Sequence, residues 1–139
     1  MIYGIGVDIV EIARIGKGLD RFGLRLVQRI LSENEYREFH SMQKLPQWLA
    51  TRFAAKEAFA KALGTGFRYG VHLRDISINS DPLGRPWLEY TGQTLELVRR
   101  FDIVRSHLSL TDEREYALAF VVLEKMSTRS PSTREHSSP

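Results

Sequence analysis

Two carboxylates and a lysine stand where they could handle a phosphate. Asp8 interrupts the apolar run Ile2–Val10 (IYGIGVDIV), and Glu57 and Lys61 lie one helical turn apart in Phe53-Ala-Ala-Lys-Glu-Ala-Phe-Ala-Lys61. An unpaired charge inside an apolar strand is strongly unfavourable, so Asp8 needs a cation or an exit at the strand end. Helical residues spaced by four share a face, which aligns Phe53, Glu57 and Lys61. If Asp8 and Glu57 converge, they make an oxygen-only site suited to Mg²⁺. That ion takes one or two carboxylates and completes its sphere with water and substrate phosphate. Lys61 then faces the same phosphate as a point charge. Such a set suits transfer of a phosphate-bearing group, where positioning and charge neutralisation carry most of the catalysis. Spacing alone is equally met by a surface Glu57–Lys61 pair, and a strand-end turn role stays open for Asp8.

Other motifs carry less. Gly4-Ile-Gly6 lacks the third glycine of a dinucleotide fingerprint and reads as tight strand packing. Gly64–Gly70 lacks the Gly-Lys-Ser/Thr ending of a P-loop and follows a helix, so it reads as a helix-ending loop. Histidines at 40, 72, 107 and 136 have no metal-ligand spacing. His107, entering a strand before Ser109 and Thr111, is open between structural and ligand-contacting roles.

The elements that must position these residues follow from pattern and punctuation. Ile2–Val10 is a β-branched strand. Apolar residues at 12, 15, 19, 22, 26 and 30 imply a helix that Gly16, Gly18 and Gly23 break or kink. Ser32–Glu35 forms a capping box opening a short helix to about Ser41. Pro46 suits the first turn of the strongest helix, Gln47–Leu63, which Gly64 terminates. Strands follow at 76–79 and 86–90 around the turn Asp81–Gly84, and a helix runs from Thr91 or Gly92 to Phe101. Strands at 106–110 and 116–123 close the chain, joined by 111–115. One α+β domain over residues 1–125 is expected, with an antiparallel sheet packed against helices. Residues 126–139, Ser/Thr/Pro-rich and without an apolar residue after Met126, are expected to be a disordered polar tail.

The chain has 139 residues, no cysteine and a formal charge of +3. Disulfides and thiolate metal sites are therefore excluded. No stretch is long enough to span a membrane and the start lacks a signal-peptide pattern, so a cytoplasmic protein with no membrane partner is expected. Basic residues cluster at Arg14, Lys17, Arg21, Arg25 and Arg29 with one intervening acid, Asp20. This favours docking of an acidic surface, an effect felt mainly in on-rate and weakened by salt. Aromatic residues are not interleaved among the arginines as a nucleic-acid stacking platform requires, so no nucleic-acid partner is expected. A basic nucleic-acid-binding domain and a nucleotide-binding module without turnover are the rival readings.

With these residues in view, a resemblance emerges. Gly6-Val-Asp-Ile-Val-Glu-Ile-Ala-Arg-Ile15 resembles the opening motif of holo-acyl-carrier-protein synthases, and Arg52–Gly66 is similar to their second motif, aromatic-x-x-Lys-Glu-Ala-x-x-Lys. Leu83-Gly-Arg-Pro86 resembles the family's Gly-Lys/Arg-Pro turn, and His107–Ala117 its last motif. Together they span residues 2–124 in the family's order. The resemblance implies transfer of 4′-phosphopantetheine from coenzyme A to a serine of an apo acyl carrier protein, releasing adenosine 3′,5′-bisphosphate. It implies a trimer with each active site at a subunit junction. Asp8 and Glu57 would bind Mg²⁺ with the coenzyme A pyrophosphate, and Lys61 would stabilise charge as the bisphosphate leaves. The serine proton would go to Glu57 or to a water on the metal. Arg52 and the loop Gly64, Thr65, Gly66 would hold the nucleotide. Arg85, Pro86, His107 and Ser109 would line its pocket, in part from a neighbouring subunit. Arg14, Arg21 and Arg25 would meet the acidic helix beside the carrier's serine. Many members have Ser/Thr-His where this chain has Thr111-Asp112, so no histidine role carries over to position 112.

Overall fold

Strand β1 (Ile2–Glu11) alternates between two surroundings: Gly4, Gly6, Asp8 and Val10 turn to one side, Ile5, Val7 and Ile9 to the other. The first side meets α4 (Leu45–Leu63). A β-carbon on Gly4 would stand 1.9 Å from the Ala62 carbonyl oxygen, and one on Gly6 1.9 Å from that of Ala58. Only hydrogen fits at either position, which is the tight strand packing expected of Gly4-Ile-Gly6. The structure, a computed structural model, describes residues 1–127.

Helix α4 starts slightly before the predicted Gln47, carries Pro46 in its first turn and ends at Gly64 in the left-handed conformation. Leu49, Ala50, Ala54, Ala55, Ala58, Phe59, Ala62 and Leu63 are buried, so it is apolar on most sides and runs through the core. Strands β4 (Ile103–Asp112) and β5 (Tyr116–Lys125) complete an antiparallel sheet in the order β1-β5-β4. Both are longer than expected from pattern, because pairing continues from Ile103 against Lys125 to Asp112 against Ala117. Asp8 lies opposite Ala119, which faces Leu110, in one inward row; Val7 lies opposite Phe120, which faces Ser109, in the adjoining outward row.

The remaining elements wrap α4. Helices α1 (Ile12–Phe22) and α2 (Leu24–Ile30) break at Gly23, whereas Gly16 and Gly18 stay within α1. The capping box of α3 (Glu33–Glu38) is present as predicted, and a 3-10 turn extends it to Ser41. Strands β2 (Ile76–Ser80) and β3 (Pro86–Tyr90) form a separate antiparallel hairpin. It joins the main sheet through the Tyr90 hydroxyl and Ser106 Oγ, while the Tyr90 ring packs 4.8 Å from that of Phe59. Helix α5 (Gly92–Arg100) has its first turn capped by Asp75, whose carboxylate accepts from the Thr94 amide and hydroxyl. The architecture is α+β, as the sequence pattern implies. Past Ser127, the expected polar tail lies outside the described residues.

Candidate active site

Asp8 is the first inward residue of β1 beyond the two glycines that carries a side chain, and it reaches α4 where Lys61 waits. The Lys61 ammonium donates to Asp8 Oδ1 at 3.0 Å and to the Val7 carbonyl at 3.2 Å. This is the cation that Asp8 requires, and it stays half exposed (53%) while Asp8 is mostly covered (15%). One turn back on the same helix face, the Glu57 carboxyl is pushed above its ordinary pKa, first by burial and then by the negative charge of Asp8. Lys61 and Arg14 oppose the shift. Two carboxylates and two cations thus share one electrostatic neighbourhood.

The donor set fits a hard cation. Mutual repulsion between Asp8 and Glu57 is what a divalent ion relieves, and both donors are oxygen. Among the described residues no group of three or more His, Cys, Asp or Glu gathers at one point. An ion with only these two carboxylates must complete its sphere elsewhere, which matches Mg²⁺ with water and phosphate better than an all-protein cage.

Glu57 also forms part of the wall of a cavity of about 550 Å³ between α1–α2 and α4. Its apolar lining includes Phe22, Leu26 and Phe53, and Arg14, Arg29 and Arg74 border it. Arg14, expected to meet a protein partner, is therefore also within reach of Glu57. Arg21 closes α1 with its guanidinium 5.2 Å from the Phe22 ring, and Arg25 is exposed on α2.

The other predicted residues lie elsewhere in this chain. Arg52 lines a separate groove of about 440 Å³ with Lys44, Trp48, Leu110 and Asp112. Its guanidinium stacks 4.6 Å from the Trp48 ring and donates to Thr51 Oγ1, while its buried Nε has no hydrogen-bond partner among the described residues. The Gly64 and Gly66 amides donate back to α4 carbonyls, so the Gly64–Gly66 segment is first of all the end of the helix. Arg85 and Pro86 follow a turn pinned by the Asp81 carboxylate, which accepts from the Leu83 and Arg85 amides. His107 and Ser109 point to the outward face of the sheet, opposite to Asp8. There the His107 ring contacts Glu124 at 2.6 Å, a bond that holds the Glu124 carboxyl below its ordinary range.

Pattern reading missed a second pair on α4. Lys56 is fully buried and donates to Glu35 Oε1 and to the Ile30 carbonyl, both at 2.6 Å. Glu35 was legible only as half of a capping box. The available signal was the helix itself: with alanine, leucine and phenylalanine around its circumference, not every lysine on it can reach water.

Residues 4–121 match the sequence profile of the 4′-phosphopantetheinyl transferase superfamily. The chain belongs to this superfamily. A relative from Vibrio cholerae named holo-[acyl-carrier-protein] synthase is 48% identical over 125 residues, covering 90% of this chain and 99% of that protein. The crystal structure of holo-[acyl-carrier-protein] synthase from Neisseria meningitidis superposes with a TM-score of 0.87 at 47% identity, over 90% of this chain and 100% of the other. A Bacillus anthracis holo-(acyl-carrier-protein) synthase, solved in complex with CoA (3′,5′-ADP), superposes at 0.76 with 40% identity, over 91% of this chain and 99% of that one. Membership makes the chain a phosphopantetheinyl transferase of the holo-[acyl-carrier-protein] synthase type, as the motif resemblance implied.

Proposed function

We propose that this chain moves 4′-phosphopantetheine from coenzyme A to a serine hydroxyl of an apo acyl carrier protein, with residues 1–125 as the working unit. The meeting of Asp8, Glu57 and Lys61 beside an arginine-bordered cavity carries this reading. Asp8 and Glu57 would hold Mg²⁺ against the coenzyme A pyrophosphate, where it supplies Lewis acidity to the phosphate oxygens. The serine oxygen attacks the phosphorus bearing pantetheine, the bond to the bridging oxygen breaks, and adenosine 3′,5′-bisphosphate departs. Lys61 neutralises charge on the departing phosphate, and Asp8 keeps its ammonium aimed. Burial and the charge of Asp8 push the Glu57 carboxyl above its ordinary pKa, which suits it to take the serine proton.

The nucleotide is assigned to a junction between copies. His107 and Ser109 face away from Asp8, so a site that uses all three draws them from different chains. The outward face is apolar and open: Ile5, Val7, Ile9 and Phe120 are 56, 49, 59 and 42% exposed. Such a face calls for a partner, and cyclic closure as a homotrimer gives every junction one complete set. The Arg52 guanidinium beside Lys44 offers donors for a nucleotide phosphate. Arg85, Pro86 and the Gly64, Thr65, Gly66 loop are assigned to the same pocket. Arg14, Arg21 and Arg25 dock the acidic carrier. No helix among the described residues is long and apolar enough to cross a membrane, and the reaction is proposed for the cytoplasm.

The test is intact mass spectrometry of apo carrier protein incubated with this chain and coenzyme A, with and without Mg²⁺. The expected result is a metal-dependent gain of one phosphopantetheine. Folded protein that modifies no carrier would overturn the assignment. Light scattering on Phe120→Asp tests assembly: loss of the trimer together with coenzyme A binding is expected, and an unaltered trimer would exclude this face.

A further inference from the structure

The buried pair on α4 adjoins the active-site face. Lys56 immediately precedes Glu57, and its ammonium ties α4 to the last turn of α2 through the Ile30 carbonyl and to α3 through Glu35. The same Glu35 carboxylate accepts from the Ser32 amide at 3.0 Å and the Ile78 amide at 2.8 Å, bringing in β2. Ser32 Oγ accepts from the Glu35 amide, and Ser77 contacts it from β2 at 2.6 Å. The α2–α3 junction, α4 and β2 are thus fastened at one sealed point.

Such a pair is a poor way to obtain stability, since well-packed apolar side chains of similar volume are often as good or better. Burial pulls the Lys56 ammonium below its ordinary pKa, and Glu35 pushes it back. What the pair supplies that methyl groups cannot is direction. Each bond has a fixed length and angle, so the rotation of α4 about its axis is set. A carboxylate about 6 Å from a helix axis moves about 2 Å when the helix turns by about 20°. Misplacement by about 1 Å can cost about 10²-fold in rate.

We propose that the Lys56–Glu35 cluster is a positioning device, which sets the rotation of α4 against α2–α3 and so places Glu57 beside Asp8. The proposal rests on the reading of Asp8 and Glu57 as the metal-holding pair. Ile30, whose carbonyl Lys56 holds, lines the same cavity as Glu57, so one fastening sets both the carboxylate and the wall it faces.

The test compares Lys56→Met, the double variant Lys56→Met/Glu35→Gln, and Glu57→Gln as reference. Measurements are thermal unfolding, Mn²⁺ binding by electron paramagnetic resonance in the presence of coenzyme A, and kinetics with carrier protein. Lys56→Met leaves Glu35 buried without its cation and lowers the Tm; the double variant removes that charge and recovers part of the loss, since the Gln oxygen keeps only one of the two amide bonds. The double variant should still lose about 10²-fold in kcat and bind Mn²⁺ at least tenfold more weakly, with KM for carrier unchanged. Recovery of Tm, kcat and Mn²⁺ affinity together would reduce the pair to a structural role and overturn the proposal. Should neither Lys56 variant fold, Ser77→Ala keeps both charges and loosens only the bond to Ser32: kcat is expected to fall threefold to tenfold, and an unchanged kcat sinks the idea. Normal turnover by Glu57→Gln would instead overturn the underlying site, so the two failures are distinct.

Discussion

Helix α4 carries two lysine–carboxylate pairs that begin from the same chemistry and end in opposite conditions. Lys56–Glu35 is sealed from water, and two neighbouring amides also donate to its carboxylate, so both oxygens are engaged. Lys61–Asp8 is half open, and the adjacent Glu57 carboxylate is destabilised by burial and by Asp8. The closed pair has both carboxylate oxygens bonded and no access to water, so it holds parts together. The open cluster has an unresolved conflict between two carboxylates, which a cation and a phosphate can settle. Unsatisfied electrostatics at one place on the helix and saturation at another separate binding from bracing.

The contrast is broken most severely at Glu57. Glu57→Gln is expected to reduce phosphopantetheine transfer by at least about 10³-fold, as loss of a principal charge-positioning group does. The same variant should have a higher Tm in metal-free buffer, because the fold resists ionisation of this carboxyl. Turnover by mass spectrometry and calorimetric unfolding check both halves; a destabilised Glu57→Gln would contradict the electrostatic account.

Exchanging the lysines inverts the pattern. Lys56→Met should cost about 3–5 kcal/mol by leaving a buried carboxylate unpaired, whereas Lys61→Met should cost at most about 1 kcal/mol. Activity should move the other way in its cause. Lys61→Met remains folded at assay temperature and loses about 10²-fold in kcat. Urea unfolding beside steady-state kinetics would show it, and equal stability losses would erase the distinction drawn here.

The arginines sharpen the boundary between chemistry and docking. Arg21→Glu should raise KM for carrier protein about tenfold with kcat unchanged, and the effect should shrink in high salt. Arg14→Glu should raise KM and lower kcat as well, because Arg14 also reaches Glu57. Identical kinetic profiles for the two variants would return Arg14 to docking alone.

The smallest effect is the pH dependence of stability. Below the ordinary glutamate pKa, about 4.3, Glu57 is protonated in both folded and unfolded chains and contributes nothing. Between that value and its raised folded value, the folded chain keeps a proton that the unfolded chain has released. Stability therefore falls as pH rises through this window, and the full penalty persists above it. The unfolding free-energy difference between Glu57→Gln and the parent should grow across the window and then level off. A difference independent of pH would remove Glu57 as its source.

Much of this was legible in the chain, for identifiable reasons. Asp8 announced its need for a cation because strand periodicity put a charge among β-branched residues. Gly4-Ile-Gly6 announced close packing because two glycines at strand spacing leave one face without side chains. The break at Gly23 was signalled, but two further glycines gave the same signal and stayed helical, since propensity at one residue is weaker than packing of the flanking Ile15 and Leu19. The extensions of β4 and β5 were missed because residues 103–105 mix apolar and charged types and 124–125 are both charged, and partner strands decide such stretches. The Glu35–Lys56 bond joins positions 21 residues apart in sequence, beyond any local pattern. The division of the assigned site between two faces of one sheet is likewise a property of strand register, which no motif encodes.

The contact between β1 and α4 has a metric consequence. Four helical residues advance about 6 Å and two strand residues about 6.8 Å, so Ala58 and Ala62 are spaced nearly as Gly6 and Gly4 are. Carbonyl and glycine mate like teeth on two racks of almost equal pitch. A helix seated this way has no halfway stop: it fits, or it is displaced by a whole tooth. Asp8 stands one tooth beyond the last glycine, at the point where the rack ends and a side chain first enters the gap. The position of α4 along β1 is therefore gauged by backbone on both sides, while its rotation about its own axis is left to contacts elsewhere.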